Sequence, residues 1–177
     1  MMSQKQDIRA LSKDELRTFF VDQGLQAFRG NQVYEWLWHK GAHDFDGMTN
    51  ISKEIRQFLN DNFVINHIAV DQMQQSSDGT VKNAIRLHDG LIVESVYIPT
   101  DTRTTACVSS QVGCSLDCTF CATARLKKMR NLNPDEIYDQ VVAIDRQSRL
   151  YKGHKLSNIV FMGMGEPLLN YKNVLKS

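Results

Sequence analysis

Apolar residues recur at helical spacing over the first sixty positions and then shift to strand-like runs. Ser12 and Glu15 have the spacing of a capping box and precede Leu16, Phe19 and Phe20, with Gly24 as a stop. Val33, Trp36 and Leu37 predict a second helix over Asn31 to Lys40, ended by Gly41. Ile55, Phe58 and Leu59 predict a third over Lys53 to Asn60. Three short amphipathic helices make a small accessory domain, assigned to residues 1–64.

From Phe63 to Ser109 the pattern favours strands. Asp78-Gly79 and Asp89-Gly90 are hairpin signals between apolar runs, so residues 65–100 read as a strand-rich connection. A long helix follows further on. Asn133 is its N-cap, Pro134 its first residue and Glu136 the partner in a second capping box, while Ile137, Val141 and Ile144 form the buried stripe. Ile159-Val160-Phe161-Met162 predicts a buried strand ending at Gly163. Strand, helix and strand in that order predict a parallel βαβ unit and an α/β fold over residues 101–177.

Composition adds little to this picture. Of 177 residues, 42% are hydrophobic, enough for a core, and the formal net charge of +1 by itself points to no nucleic-acid partner. Arg125, Lys127, Lys128 and Arg130 form a local basic run whose default reading is a solvated loop. Met1 to Asp7 lacks the apolar core of a secretory signal, and no stretch approaches the roughly 20 apolar residues of a membrane span. The expectation is a cytoplasmic protein with no membrane partner. In a reducing compartment the four cysteines read as metal ligands or redox groups before structural disulfides.

Cys114, Cys118 and Cys121 form C-x3-C-x2-C. Soft thiolates select zinc, copper or iron–sulfur. A closed zinc site needs four ligands, and the nearest histidines, His88 and His154, are remote in sequence. The spacing also places three small residues on one helix face, but Gly113, Ser115, Asp117 and Thr119 are poor helix formers, so the segment reads as a loop. Three thiolates on a four-iron cluster would leave one iron open to a substrate. Other residues stay ambiguous by pattern alone. Glu94 is either an exposed strand glutamate or a buried proton-transfer group. Cys107 is a buried thiol by default. Gly165-Glu166 is either a strand-ending turn or a ligand site at the end of a parallel strand.

The cysteine motif, with Phe120 before its last member, resembles the radical S-adenosylmethionine superfamily. The wider series resembles one family within it, the adenine methyltransferases of large-subunit ribosomal RNA. That series is Cys107-Val-Ser-Ser-Gln-Val-Gly-Cys114, Phe120-Cys-Ala-Thr, Arg130-Asn-Leu, Glu136-Ile-x-x-Gln-Val and Phe161-Met-Gly-Met-Gly-Glu-Pro-Leu-Leu-Asn170, with Asp78-Gly-Thr, Asp89-Gly and Val93-Glu94-Ser-Val-Tyr-Ile-Pro99 upstream.

The resemblance implies part of a radical SAM (β/α) barrel behind the helical domain. It implies a [4Fe-4S] cluster on Cys114, Cys118 and Cys121, and S-adenosyl-L-methionine bound with the help of Phe120, Gly165 and Glu166. Adenine C2 in 23S rRNA and in tRNA is then the methyl acceptor, reached through a 5′-deoxyadenosyl radical and a methyl-cysteine. Glu94 matches the family's proton acceptor. Cys107 matches its resolving cysteine, which forms a transient disulfide with a C-terminal methyl-carrying cysteine. That partner is not among the four cysteines here, and only two or three barrel strands can be counted, so the expectation is a truncated, inactive chain. Ala124 to Met129 departs from the family, which often has glycines there. The implied partners are the RNA and an electron donor such as flavodoxin, with the protein a monomer. Two alternatives remain: an adenine-C8 methyltransferase of the antibiotic-resistance type, and a non-enzymatic zinc-binding RNA module.

Overall fold

The structure, a computed structural model, describes residues 5–177, so the first four residues of the expected accessory domain lie outside it. The chain divides into two compact units, one up to Asn66 and one from His67.

In the first unit, β1 (Gln6–Asp7) pairs in parallel with β2 (Phe63–Val64), which ties the two ends of the unit together. Between them run α1 (Lys13–Asp22), α2 (Phe28–Trp38) and α3 (Lys53–Asn62). The capping box of α1 forms as the sequence predicts: Glu15 N–H donates to Ser12 Oγ, and Ser12 N–H to the Glu15 carboxylate. Leu16, Phe20, Val33, Leu37, Met48 and Leu59 close the core.

The second helix differs from the expected Asn31–Lys40. It begins three residues earlier, at Phe28, without a side-chain cap, because backbone turns from Gln26 and Ala27 already supply its first bonds. Gly30 therefore lies inside the helix rather than before it. Here α2 crosses α1 so closely that a Cβ on Gly30 would stand 2.7 Å from the Arg17 backbone nitrogen.

In the second unit, β3 (Ala69–Gln75), β4 (Val81–Arg86), β5 (Ile92–Pro99) and β6 (Thr104–Cys107) form an antiparallel meander, turning at Asp78-Gly79 and Asp89-Gly90. A short antiparallel ribbon follows, β7 (Gln111–Val112) with β8 (Arg130–Asn131), and Cys114, Cys118 and Cys121 lie on the loop between its strands. Then come α4 (Pro134–Lys152) and β9 (Asn158–Val160), which returns parallel to β6. A 3-10 turn (Pro167–Asn170) and α5 (Tyr171–Lys176) end the chain. The five-stranded order is β3-β4-β5-β6-β9.

The two faces of this sheet differ. Val81, Ile85, Val93 and Tyr97 point to the side covered by α4, where Ile137 and Ile144 are buried. Burying one such side chain is worth about 1.5–3 kcal/mol. Glu94, between Val93 and Ser95, points to the other side, so the covered face is the one opposite the glutamate.

The expected strand Ile159–Met162 is shifted. The paired residues are Asn158 to Val160, and the strand is not buried: Ile159 is 47% exposed and Met162 80%. Among the described residues β9 is an edge strand. Phe161 and Met162 leave the ladder as the chain turns so that Gly163 can donate to the Val108 carbonyl.

Candidate functional site

Two segments leave the same end of the parallel pair. After β6 the chain runs through Val108, Ser109 and Ser110 to the cysteine loop, and after β9 it runs through Gly163 to Glu166. The C-terminal end of parallel strands is where α/β sheets hold ligands.

Ser109 is the first tie between them. Its Oγ accepts the Met164 N–H at 2.8 Å and donates to the Glu94 carbonyl at 2.5 Å. Gln140 of α4 brackets its backbone, accepting from Ser109 N–H at 2.9 Å and donating to Ser109 O at 3.2 Å. The Met164 carbonyl takes both the Ser110 and Gln111 N–H groups, at 2.9 and 3.2 Å. Asn170 Nδ2 donates to the carbonyls of Ser110 and Leu132, both at 2.8 Å. These polar side chains are buried and bonded, as low-dielectric surroundings require. Ser109, Gln140 and Asn170 all fall within the motif series, but the sequence assigns them no role, because their partners lie far along the chain.

Cys114, Cys118 and Cys121 are partly exposed and free of disulfides. The loop is pinned at its base, where Met129 N–H donates to Val112 O at 2.8 Å. Cys121 N–H closes a turn on the Cys118 carbonyl at 3.0 Å. The Cys121 thiol is held below its ordinary pKa, first by the Ala124 and Thr123 backbone N–H groups, which favour the thiolate. Phe120 is 92% exposed.

Among the described residues no three His, Cys, Asp or Glu side chains converge to hold a single metal ion. A four-iron cluster sets a different demand, one thiolate on each of separate irons. The donor set suits it: three thiols and no imidazole between Cys114 and Cys121.

Gly165 has φ of 92°, which disfavours a side chain, and a Cβ there would stand 2.5 Å from Gln111 Cβ. Glu166 begins the 3-10 turn, its carboxylate accepting from the Leu168 N–H at 3.0 Å. Cys107 ends β6 and is only 8% exposed. Burial pushes its thiol pKa up, against a hydrogen bond from the Met162 backbone. Glu94 lies mid-strand on β5, its side chain half exposed, with Lys82 Nζ 3.1 Å from its Oε1. Its neighbour in the ladder, Val96, pairs with Cys107, so Glu94 and Cys107 are brought to adjacent strands.

The exit of the loop is fixed by charge. Arg130 makes two bonds to the buried Glu136, at 2.7 and 2.8 Å, and one to Asp89 at 2.7 Å. Both carboxylates raise the already high pKa of the guanidinium, which stays charged.

A parallel strand pair with a three-thiol loop after one strand and a glycine-rich turn after the next defines the class: residues 108–176 match the Radical SAM superfamily. Residues 6–65 match the ribosomal RNA large subunit methyltransferase N-terminal domain. With these two matches the chain is similar to radical SAM RNA methyltransferases that carry this N-terminal domain. It is 74% identical, over its whole length, to a probable dual-specificity RNA methyltransferase RlmN of Flavobacterium johnsoniae, of which it covers 51%. It is 45% identical over 172 residues, 97% of this chain, to the dual-specificity RNA methyltransferase RlmN of Geotalea uraniireducens, of which it covers 48%. A crystal structure of a radical SAM methyltransferase from Sphaerobacter thermophilus superposes with a TM-score of 0.82 at 37% identity, over 97% of this chain and 50% of that one. The chain thus spans about half the length of the relatives it matches.

Proposed function

We propose that this chain is part of an enzyme that methylates adenine C2 in 23S rRNA and in tRNA. The observation that carries the reading is the tie between the thiol loop and the Gly165-Glu166 turn at one end of β6 and β9. It is supported by relatives named dual-specificity RNA methyltransferases.

In this reading Cys114, Cys118 and Cys121 hold a [4Fe-4S] cluster. With S-adenosylmethionine bound, that cofactor pair supplies one-electron cleavage of the sulfonium, chemistry that no side chain can perform. An amidine carbon of adenine is not nucleophilic, so polar methyl transfer to it would fail. Glu166 offers a carboxylate to the ammonium of the methionine moiety, and Gly165 leaves room for it. Phe120, exposed beside Cys121, offers an aromatic face to the cofactor. Glu94 takes a proton from the substrate, and Lys82 Nζ lies 3.1 Å from its Oε1. Cys107, shielded between strands, stays a thiol until the adduct of a second cysteine with the RNA is delivered to it; its sulfur then bonds to the adduct sulfur as the S–C bond breaks, the electron pair leaving with the carbon. The helical unit is assigned to RNA binding. The electron would come from a flavodoxin-type donor, and the protein would act as a cytoplasmic monomer. No helix among the described residues is long and apolar enough to cross a membrane.

The test is anaerobic reconstitution with iron and sulfide. About four irons and four sulfides per chain, with a reduced-state paramagnetic resonance spectrum altered by S-adenosylmethionine, support the reading. Zinc in place of iron overturns it. Nucleoside mass spectrometry of RNA from cells with and without the gene tests the regiochemistry: loss of 2-methyladenosine is expected, and loss of 8-methyladenosine instead would refute C2.

A further inference from the structure

Gln111 lies between the two halves of the candidate site, and none of the chemistry above uses it. Its side chain is fully buried. The amide oxygen accepts the Glu166 N–H at 2.9 Å, and Nε2 donates to Asn131 Oδ1 at 2.8 Å. Its own N–H points to Met164 O. Gln111 stands three positions before Cys114, on the strand from which the cysteine loop departs, and Asn131 stands opposite on the strand to which the loop returns. Its stem also fills the space beside Gly165, 2.5 and 2.6 Å from where a Cβ would sit. Both ends of this amide are satisfied inside the protein, so it cannot rotate without stranding a buried donor or acceptor. It therefore acts as a rigid spacer between the loop base and the turn.

We propose that Gln111 is a positioning residue that fixes the separation between the thiol loop and the Glu166 turn, and so sets how S-adenosylmethionine fits the cluster. The inference rests on the radical SAM reading above. A methionine moiety shared between the cluster and the Glu166 turn needs that separation set to within a fraction of an ångström. Gln111 acts through the Glu166 backbone, and the sequence conceals this because the two residues lie 55 positions apart.

The experiment compares the full chain with Q111M, which keeps the volume and loses both polar ends, and Q111E, which keeps an oxygen for the Glu166 N–H. All three are reconstituted anaerobically. Iron and sulfide per chain, thermal midpoint, S-adenosylmethionine affinity by equilibrium dialysis, and the spectrum of the reduced cluster with and without S-adenosylmethionine are read. The expected result is wild-type iron and sulfide in Q111M, affinity weaker by roughly tenfold and a diminished spectral response. Q111E recovers most of both. A purely structural role would lower the midpoint and the cluster content without separating them from affinity. Wild-type affinity and response in Q111M, or no recovery in Q111E, overturn the proposal. Loss of cluster from both variants also overturns it, since Gln111 is then a folding residue. A wild-type chain that takes up no cluster, or whose cluster ignores S-adenosylmethionine, overturns the parent reading and this inference with it.

Discussion

Asn83 on β4 and Gln147 on α4 face each other as a closed amide pair. Asn83 Nδ2 donates to Gln147 Oε1 at 3.1 Å, and Gln147 Nε2 donates to Asn83 Oδ1 at 2.7 Å. Asn83 is 0% exposed and Gln147 8%. The pair fastens the helix to the meander on the covered side of the sheet, beneath the site. Asn83→Ala strands the Gln147 amide, so a loss of about 1–3 kcal/mol is expected. Gln147→Leu alone should cost a similar amount, and the double variant less than the sum. Urea unfolding of the four chains checks this; strict additivity would mean the two amides do not act as a pair.

Charge at the loop exit gives a pH signature. Burial raises the Asp89 pKa, but the hydrogen bonds from Arg130 and from the Leu91 N–H outweigh it, and the net shift is downward. A carboxyl depressed on folding stabilises above its unfolded pKa and loses that contribution as pH falls through the folded value. Asp89→Asn should therefore be less stable than the wild type at pH 7. Both partners are about a third exposed, so about 1 kcal/mol is the ceiling. The gap should narrow below about pH 4. Thermal midpoints from pH 7 to pH 3 check it, and a gap that stays constant would exclude the Arg130 pair as its source.

The thiols should separate by reactivity in the metal-free chain. Backbone N–H groups lower the Cys121 pKa and burial raises that of Cys107. With iodoacetamide near neutral pH, Cys121 should be modified first and Cys107 last, and Cys107 should need the higher pH. Peptide mass spectrometry over time gives the order. Early labelling of Cys107 would show that the end of β6 opens readily.

Gly30→Ala sets two effects of known size against each other. Helix propensity favours alanine by about 1 kcal/mol. The added methyl would meet the Arg17 backbone at 2.7 Å, and α1 would have to move at a cost of typically 1–3 kcal/mol. Net destabilisation of the first unit is expected, read as a lower urea midpoint. A stabilised variant would mean that the two helices part freely.

Much of this architecture is local and was legible. The capping boxes at Ser12 and Asn133, the turns at Asp78-Gly79 and Asp89-Gly90, and the stop at Gly24 depend on neighbours within a few residues. The start of α2 was not legible, because no cap residue marks it and Gly30 looks like a breaker until α1 is seen against it. The shortened β9 was not legible either. Four apolar residues in a row read as a strand, whereas the last two are diverted by backbone bonds to the segment after β6. In the candidate site, residue types and spacing pick out Cys114, Cys118 and Cys121, and the family resemblance adds Gly165 and Glu166. The side chains that join them, Ser109, Gln111 and Asn170, lie within the quoted motifs, but their partners are about 55 to 60 residues away, so no local pattern shows what they hold together.

The paired ends of the cysteine loop carry one more consequence. Because β7 and β8 hold Val112 opposite Arg130, the closure entropy of the intervening segment is already spent by the fold. Within it the backbone from Leu126 to Met129 runs beside Val112 to Cys114 and is held there, so only the side chains of that stretch can change without moving Cys114. The run Ala124 to Met129 can therefore vary in side chain while its backbone keeps the first cysteine of the loop in place.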